Sequence, residues 1–123
     1  MITFADYIGP HREPYTEQMI GNATILLSRV NALMALCGFK TTVNSGWRPP
    51  AYNATIPNAS PTSKHMTMQA IDLADTGQIA AYLNENRQIL KDHGLWMEHP
   101  ASTRGWCHLQ SVPPKSGNLV FYP

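Results

Sequence analysis

Residues 63–72 read SKHMTMQAID. The stretch ends inside AIDLAD (70–75), where Ala70, Asp72 and Ala74 share one parity while Ile71 and Leu73 share the other, the alternation of a β-strand. Asp72 is thereby turned away from the apolar side, so its carboxylate requires a partner or water. His65 lies seven positions before it, and GWCHLQ (105–110), also strand-like, brings His108. His65, Asp72 and His108 are three ligands of the kind that hold a catalytic zinc and leave a position for water. Residues seven apart lie about 23 Å from each other in a strand and about 10 Å in a helix. Ligands of one zinc bind at about 2 Å, so the chain must bend between His65 and Asp72. Spacing alone leaves open that these side chains are solvated or structural.

Outward from this stretch, the chain alternates helical and extended patterns. After Thr16, the apolar residues Met19, Ala23, Leu26, Val30, Leu33 and Cys37 recur at steps of three and four. That is one face of an amphipathic helix beginning at Glu17, and Gly38 supplies its stop. Met34, beside the stripe, reads as core filler. FKTTVNSG (39–46) has β-branched residues and no helical period, which predicts a short strand delivering Trp47 and Arg48 at its end. Pro49 to Ser63 should be a long surface loop, with Asn53 and Asn58 available for turns. Beyond AIDLAD, Thr76 is expected to cap a second helix over 77–93, its apolar set Ile79, Leu83, Asn86 and Leu90, with Tyr82 and Ile89 alongside. LWMEH (95–99) and GWCHLQ are strand-like runs joined by the hairpin-type connector PASTR, and LVFYP (119–123) follows the turn PPKSGN. Residues 1–15, ending in prolines around His11, Arg12 and Glu13, read as an irregular N-terminal arm. The expectation is one α+β domain over 1–123, with two main helices against a small, mostly antiparallel sheet.

Composition narrows the function. With 123 residues the chain is long enough to bury a core without disulfides or metal. A formal net charge of +1 gives no basis for nucleic-acid binding. Cys37 and Cys107, the only two cysteines, sit in apolar company and read as free buried thiols. The opening MITFADYIGPHREP lacks the basic start and apolar run of a signal peptide, and no membrane-spanning run is expected. A monomer made in the cytoplasm is the expectation.

SKHMTMQAID resembles the Ser-x-His-x-x-Gly-x-Ala-x-Asp motif of the zinc D-Ala-D-Ala carboxypeptidase and L-alanyl-D-glutamate endopeptidase family, whose fold is shared with the hedgehog signalling domain. Ser63, His65, Ala70 and Asp72 match, and Met68 stands where the motif has Gly. SGWRPP (45–50) is similar to the family's Ser-Gly-aromatic-Arg segment, and GWCHLQ to its aromatic-x-His strand. The resemblance covers roughly residues 40–110. It implies that His65, Asp72 and His108 ligate one zinc ion, whose bound water is acidified towards neutrality.

Many members place the catalytic glutamate three residues before the last ligand, where this chain has Gly105. Glu98, on the strand before that of His108, is the candidate general base, with His99 as substitute; hedgehog-like members also carry a glutamate on that strand. Arg48 resembles the arginine that polarises the scissile carbonyl or holds a substrate carboxylate. Trp47, Trp96 and Trp106 read as core or cleft wall, with Trp106 sharing the parity of His108; Cys107 has the opposite parity and reads as core. His11 and His93 are expected to be incidental.

The implied substrate is a peptide bond of the peptidoglycan stem. Small size and the absence of a recognisable signal or wall-binding module resemble phage lysis peptidases that reach the wall through a separate pore, which favours endopeptidase over carboxypeptidase. The competing expectations are a non-catalytic zinc-bearing virion or binding module and a metal-free interaction domain.

Overall fold

A computed structural model describes residues 1–123. The elements run α1 (Phe4–Ile8), α2 (Glu17–Cys37), β1 (Val43–Ser45), α3 (Pro50–Asn53), β2 (Ala70–Ala74), α4 (Gln78–Glu85), α5 (Arg87–Asp92), β3 (Trp96–Glu98), β4 (Trp106–Gln110) and β5 (Val120–Phe121). A turn of 3-10 helix, Pro100–Ser102, sits between β3 and β4. The strands form one sheet of order β1-β2-β4-β3-β5.

The long helix begins and ends where the sequence places it. The Thr16 hydroxyl accepts the Met19 N–H, and Gly38 adopts the left-handed conformation at φ 72°. Ala23, Leu26, Leu27, Val30, Leu33 and Met34 are its buried residues, and they join one core cluster with Ile71, Leu73, Met97, Cys107 and Leu109. By length and apolarity α2 could also cross a membrane. Here its apolar stripe covers one face of the sheet, as a core helix does.

The opposite face carries the polar row. In an antiparallel ladder, directly paired residues share a face. Asp72 pairs with His108, and Ala70 with Gln110. Trp96 pairs with Gln110 and Met97 with Leu109. Continuing that register by one residue sets Glu98 opposite His108.

Five expectations are corrected. The sheet is mixed: β5 runs parallel to β3, since Met97 pairs with Val120 and Glu98 with Phe121. A two-residue strand at the sheet edge offers too little pattern for its direction to be read from sequence. Residues 1–15 are not wholly irregular, because Thr3 and Asp6 form a reciprocal capping box that starts α1. Thr76 does not cap the second helix; the Asp75 carboxylate accepts the N–H groups of Gly77, Ile79 and Ala80. That helix is divided at Asn86, where φ −127° and ψ 53° break the path. Asn86 is exposed, not on the core face, and only Ile79, Ala80, Leu83 and Leu90 are buried.

The loop after Arg48 begins with α3 and is closed by its own side chains. Asn53 is buried and donates to the Ser60 carbonyl, and Asn58 takes a positive φ of 63°.

Candidate metal centre

Three elements deliver the polar cluster: the loop before β2 carries His65, β2 carries Asp72 and β4 carries His108. All three residues are buried. Their ligand atoms lie within 4.8 Å of one another. His108 Nδ1 is 2.8 Å from Asp72 Oδ1, and His65 Nε2 is 3.4 Å from Asp72 Oδ2. Ligands about 2.0–2.1 Å from a tetrahedral zinc stand roughly 3.3 Å apart, so the cluster is already near the required size.

The bend between His65 and Asp72 is made at Met68, which has φ 60°. This is the left-handed region that glycine enters freely and a side chain enters at a cost. Met68 is fully buried in the core cluster, which offsets that cost. Around the bend, the Gln69 N–H bonds the Lys64 carbonyl, and Asn22 of α2 donates to the Thr67 carbonyl.

Both imidazoles are oriented by bonds on the side away from the cluster. His65 Nδ1 lies 2.7 Å from the Gly46 carbonyl, an acceptor only, so Nδ1 carries the proton and Nε2 faces Asp72. Gly46 is fixed by contact: a Cβ there would fall 1.9 Å from the Tyr7 carbonyl oxygen. That carbonyl accepts the Trp47 N–H, while the buried Tyr7 hydroxyl donates to the Ala70 carbonyl. The short α1 thus braces both the His65 anchor and the strand of Asp72. On the other ring, His108 Nε2 lies 2.8 Å from Gln110 Oε1.

Charge follows from this packing. Burial alone would raise the Asp72 carboxyl, but its contacts with His108 and His65 outweigh that and hold it well below the usual carboxylate range. Burial works against a charged His108, yet the Asp72 hydrogen bond and charge prevail and raise its pKa above the ordinary 6.5. Asp72 is thus an ionised carboxylate between two oriented imidazoles. Two nitrogens and a carboxylate oxygen converging in a buried site match zinc's donor set. The residues present fit the ion.

Glu98, half-buried on the same face, has its carboxyl pKa raised, chiefly by burial. Arg48 donates from Nε to Ser45 Oγ and from Nη2 to Asp72 Oδ2 at 3.1 Å, while its Nη1 makes no bond within the chain. His99 is turned elsewhere: its ring stacks on Tyr122 with centroids 4.6 Å apart, and its Nδ1 accepts the Ala101 N–H. Trp47 is buried in the core, and Trp96 and Trp106 are half-buried. Cys107 lies in the core, its thiol pushed up by burial. His11 packs on Tyr52 and Trp47, and His93 bonds the Ile89 carbonyl; neither reaches the cluster.

Sequence reasoning missed Tyr7 and Gln110, and it gave Gly46 no role beyond its place in SGWRPP. Gln110 had a usable signal, since it stands two residues beyond His108 on the same strand face.

The family model of Peptidase M15 matches residues 11–110. The chain belongs to the peptidase M15 family. That span takes in Arg48, His65, Asp72, Glu98 and His108. M15 peptidases are zinc-dependent, which agrees with the donor set found here. A search of curated proteins gives no match.

Proposed function

We propose that this M15 peptidase is a zinc-dependent hydrolase of peptidoglycan stem peptides that cuts the L-alanyl-D-glutamate bond. The observation that carries the reading is the convergence of His65, Asp72 and His108, with Glu98 in register beside them and Arg48 bonded to Asp72. His65 Nε2, an Asp72 oxygen and His108 Nδ1 would hold the ion. Zinc, when bound, polarises a carbonyl and lowers the pKa of water towards neutrality.

The chain's own residues supply the rest. Glu98 takes the proton from the attacking water and returns it to the leaving amine, work for which a carboxyl of raised pKa is suited. Arg48 directs its free Nη1 at the carbonyl oxygen where charge develops. Nε and Nη2 each give one N–H, to Ser45 and Asp72, which holds the guanidinium in place and leaves its remaining N–H groups for substrate. The choice of endopeptidase over carboxypeptidase rests on the resemblance to compact lysis peptidases. The stem-peptide assignment rests on the motif resemblance at residues 45–50, 63–72 and 105–110. Its substrate lies outside the cell membrane, so the enzyme acts at the wall after delivery there, in the manner of a lysis peptidase.

Digestion of purified peptidoglycan, with and without chelator, followed by mass spectrometry of the released fragments, tests the reading. Chelator-sensitive appearance of new N-terminal D-glutamate is expected. Release of free D-alanine alone would replace the endopeptidase with a carboxypeptidase. No release at all by zinc-loaded protein would leave a non-catalytic zinc module.

A further inference from the structure

We infer that Gln110 is a positioning residue: it selects the proton-bearing nitrogen of His108 and so presents Nδ1 to the metal. The inference rests on the metal-centre reading above and adds to it a determinant of metal affinity. Gln110 is 5% exposed, and both ends of its amide are engaged. Its Nε2 donates to the Val112 carbonyl at 2.9 Å, and its Oε1 lies 2.8 Å from His108 Nε2.

The direction of these bonds is forced. A backbone carbonyl only accepts, so the amide nitrogen must face Val112. The amide oxygen then faces His108 and also only accepts, so His108 Nε2 must donate. In the charged ring Nδ1–H also donates to Asp72 Oδ1, 2.8 Å away; with Nε2–H held by Gln110, Nδ1 is the nitrogen whose lone pair is freed for the metal. Without Gln110, the Asp72 carboxylate would draw the single proton to Nδ1 and turn the ring's donor face to the site. Metal would then have to displace that proton. The order Val112 carbonyl, Gln110 amide, His108 imidazole is therefore a directional relay, built within β4 and the turn that follows it.

The test uses the full chain and zinc itself. In zinc-loaded wild type, nitrogen-15 NMR of the imidazoles should show the His108 proton on Nε2 and protected from exchange. Gln110→Met keeps length and loses the acceptor; zinc affinity, measured by competition with a chromogenic chelator, should fall about 10- to 100-fold. Metal-free Gln110→Met should show His108 shifted towards the Nδ1–H tautomer, with circular dichroism confirming the fold. Gln110→Glu, which restores an acceptor for His108, should recover most of the affinity. Wild-type affinity and an unmoved tautomer in Gln110→Met would overturn the inference, as would a His108 proton on Nδ1 in zinc-loaded wild type. The tautomer of neutral His108 in metal-free wild type decides the matter even if Gln110→Met does not fold: Nε2–H supports the inference and Nδ1–H overturns it. Failure of wild type to take up zinc would sink the metal-centre reading itself, a result distinct from equal affinities in wild type and variant.

Discussion

Met68 sets two demands against each other, and the balance is measurable. Its φ of 60° favours glycine, whereas its side chain is fully buried in the core. Met68→Ala removes the buried thioether chain and keeps the backbone cost, so it should destabilise by about 2–5 kcal/mol. Met68→Gly removes slightly more buried surface but relieves the left-handed strain, which for a residue with a Cβ is about 1–2 kcal/mol. At an ordinary position alanine is favoured over glycine by about 0.5–1 kcal/mol. A site of positive φ reverses that order. Met68→Gly should thus be less stable than wild type yet about 1 kcal/mol more stable than Met68→Ala. Urea unfolding of the three proteins, at equal metal content, gives the midpoints needed. An alanine variant as stable as the glycine variant, or more stable, would refute the argument that the bend is left-handed. A glycine variant as stable as wild type would refute the argument that the Met68 side chain offsets its backbone.

Three further outcomes follow from the site. Glu98→Gln should keep stoichiometric zinc and lose about 10²- to 10⁴-fold in kcat; peptidoglycan digestion and metal analysis check it, and undiminished turnover would remove Glu98 from the chemistry. Gly46→Ala should cost at least about 2 kcal/mol, because the added carbon meets backbone, not a flexible side chain; unchanged unfolding would contradict the close packing on Tyr7. For pH, His108 is raised above 6.5 in the folded chain, so its stabilising contribution is complete below the unfolded pKa and lost as pH rises through the folded one. Asp72 is lowered, so its contribution holds above about 3.9 and is lost as pH falls. Chelator-treated protein should therefore be most stable between about pH 4 and 6.5, whereas zinc should protect more as pH rises, because His108 must give up its Nδ1 proton to bind. Melting temperatures from pH 4 to 9, with zinc and with chelator, check both trends. A chelated protein whose stability climbs steadily to alkaline pH would contradict the His108 assignment.

The sequence carried the long-range order of the site better than its local bracing. Asp72 and His108 were legible through strand parity and motif spacing together, and His65 through the motif alone. Glu98 stands out as the carboxylate ending the strand before that of His108, and the β3–β4 register, carried one residue past Met97–Leu109, sets it opposite His108. The Met68 bend was foreseeable as a requirement, since no regular element joins His65 to Asp72. What escaped depends on short-range competition. Asp75 and Thr76 are both good caps, and the choice went to the one whose carboxylate reaches three N–H groups. The break at Asn86 interrupts an apolar period that continues through it, so periodicity could not reveal it.

Tyr7 and Gln110 were unread for a different reason. Neither belongs to a recognisable motif, and each acts only through a partner that folding brings near: Ala70, 63 positions beyond Tyr7, and the Val112 carbonyl, whose orientation depends on the turn after β4. A ligand residue declares itself by chemistry, because few side chains bind zinc. A residue that orients a ligand needs only one acceptor or donor in the right place, and many side chains or a backbone carbonyl will serve. His65 and His108 show both solutions in one site: one ring is held by the Gly46 main chain, the other by the Gln110 side chain. The two anchors should consequently respond differently to mutation. That of His65 can be disturbed only through the packing of Gly46 on Tyr7, at a cost in stability, whereas that of His108 can be removed by one side-chain change, at a cost in metal affinity.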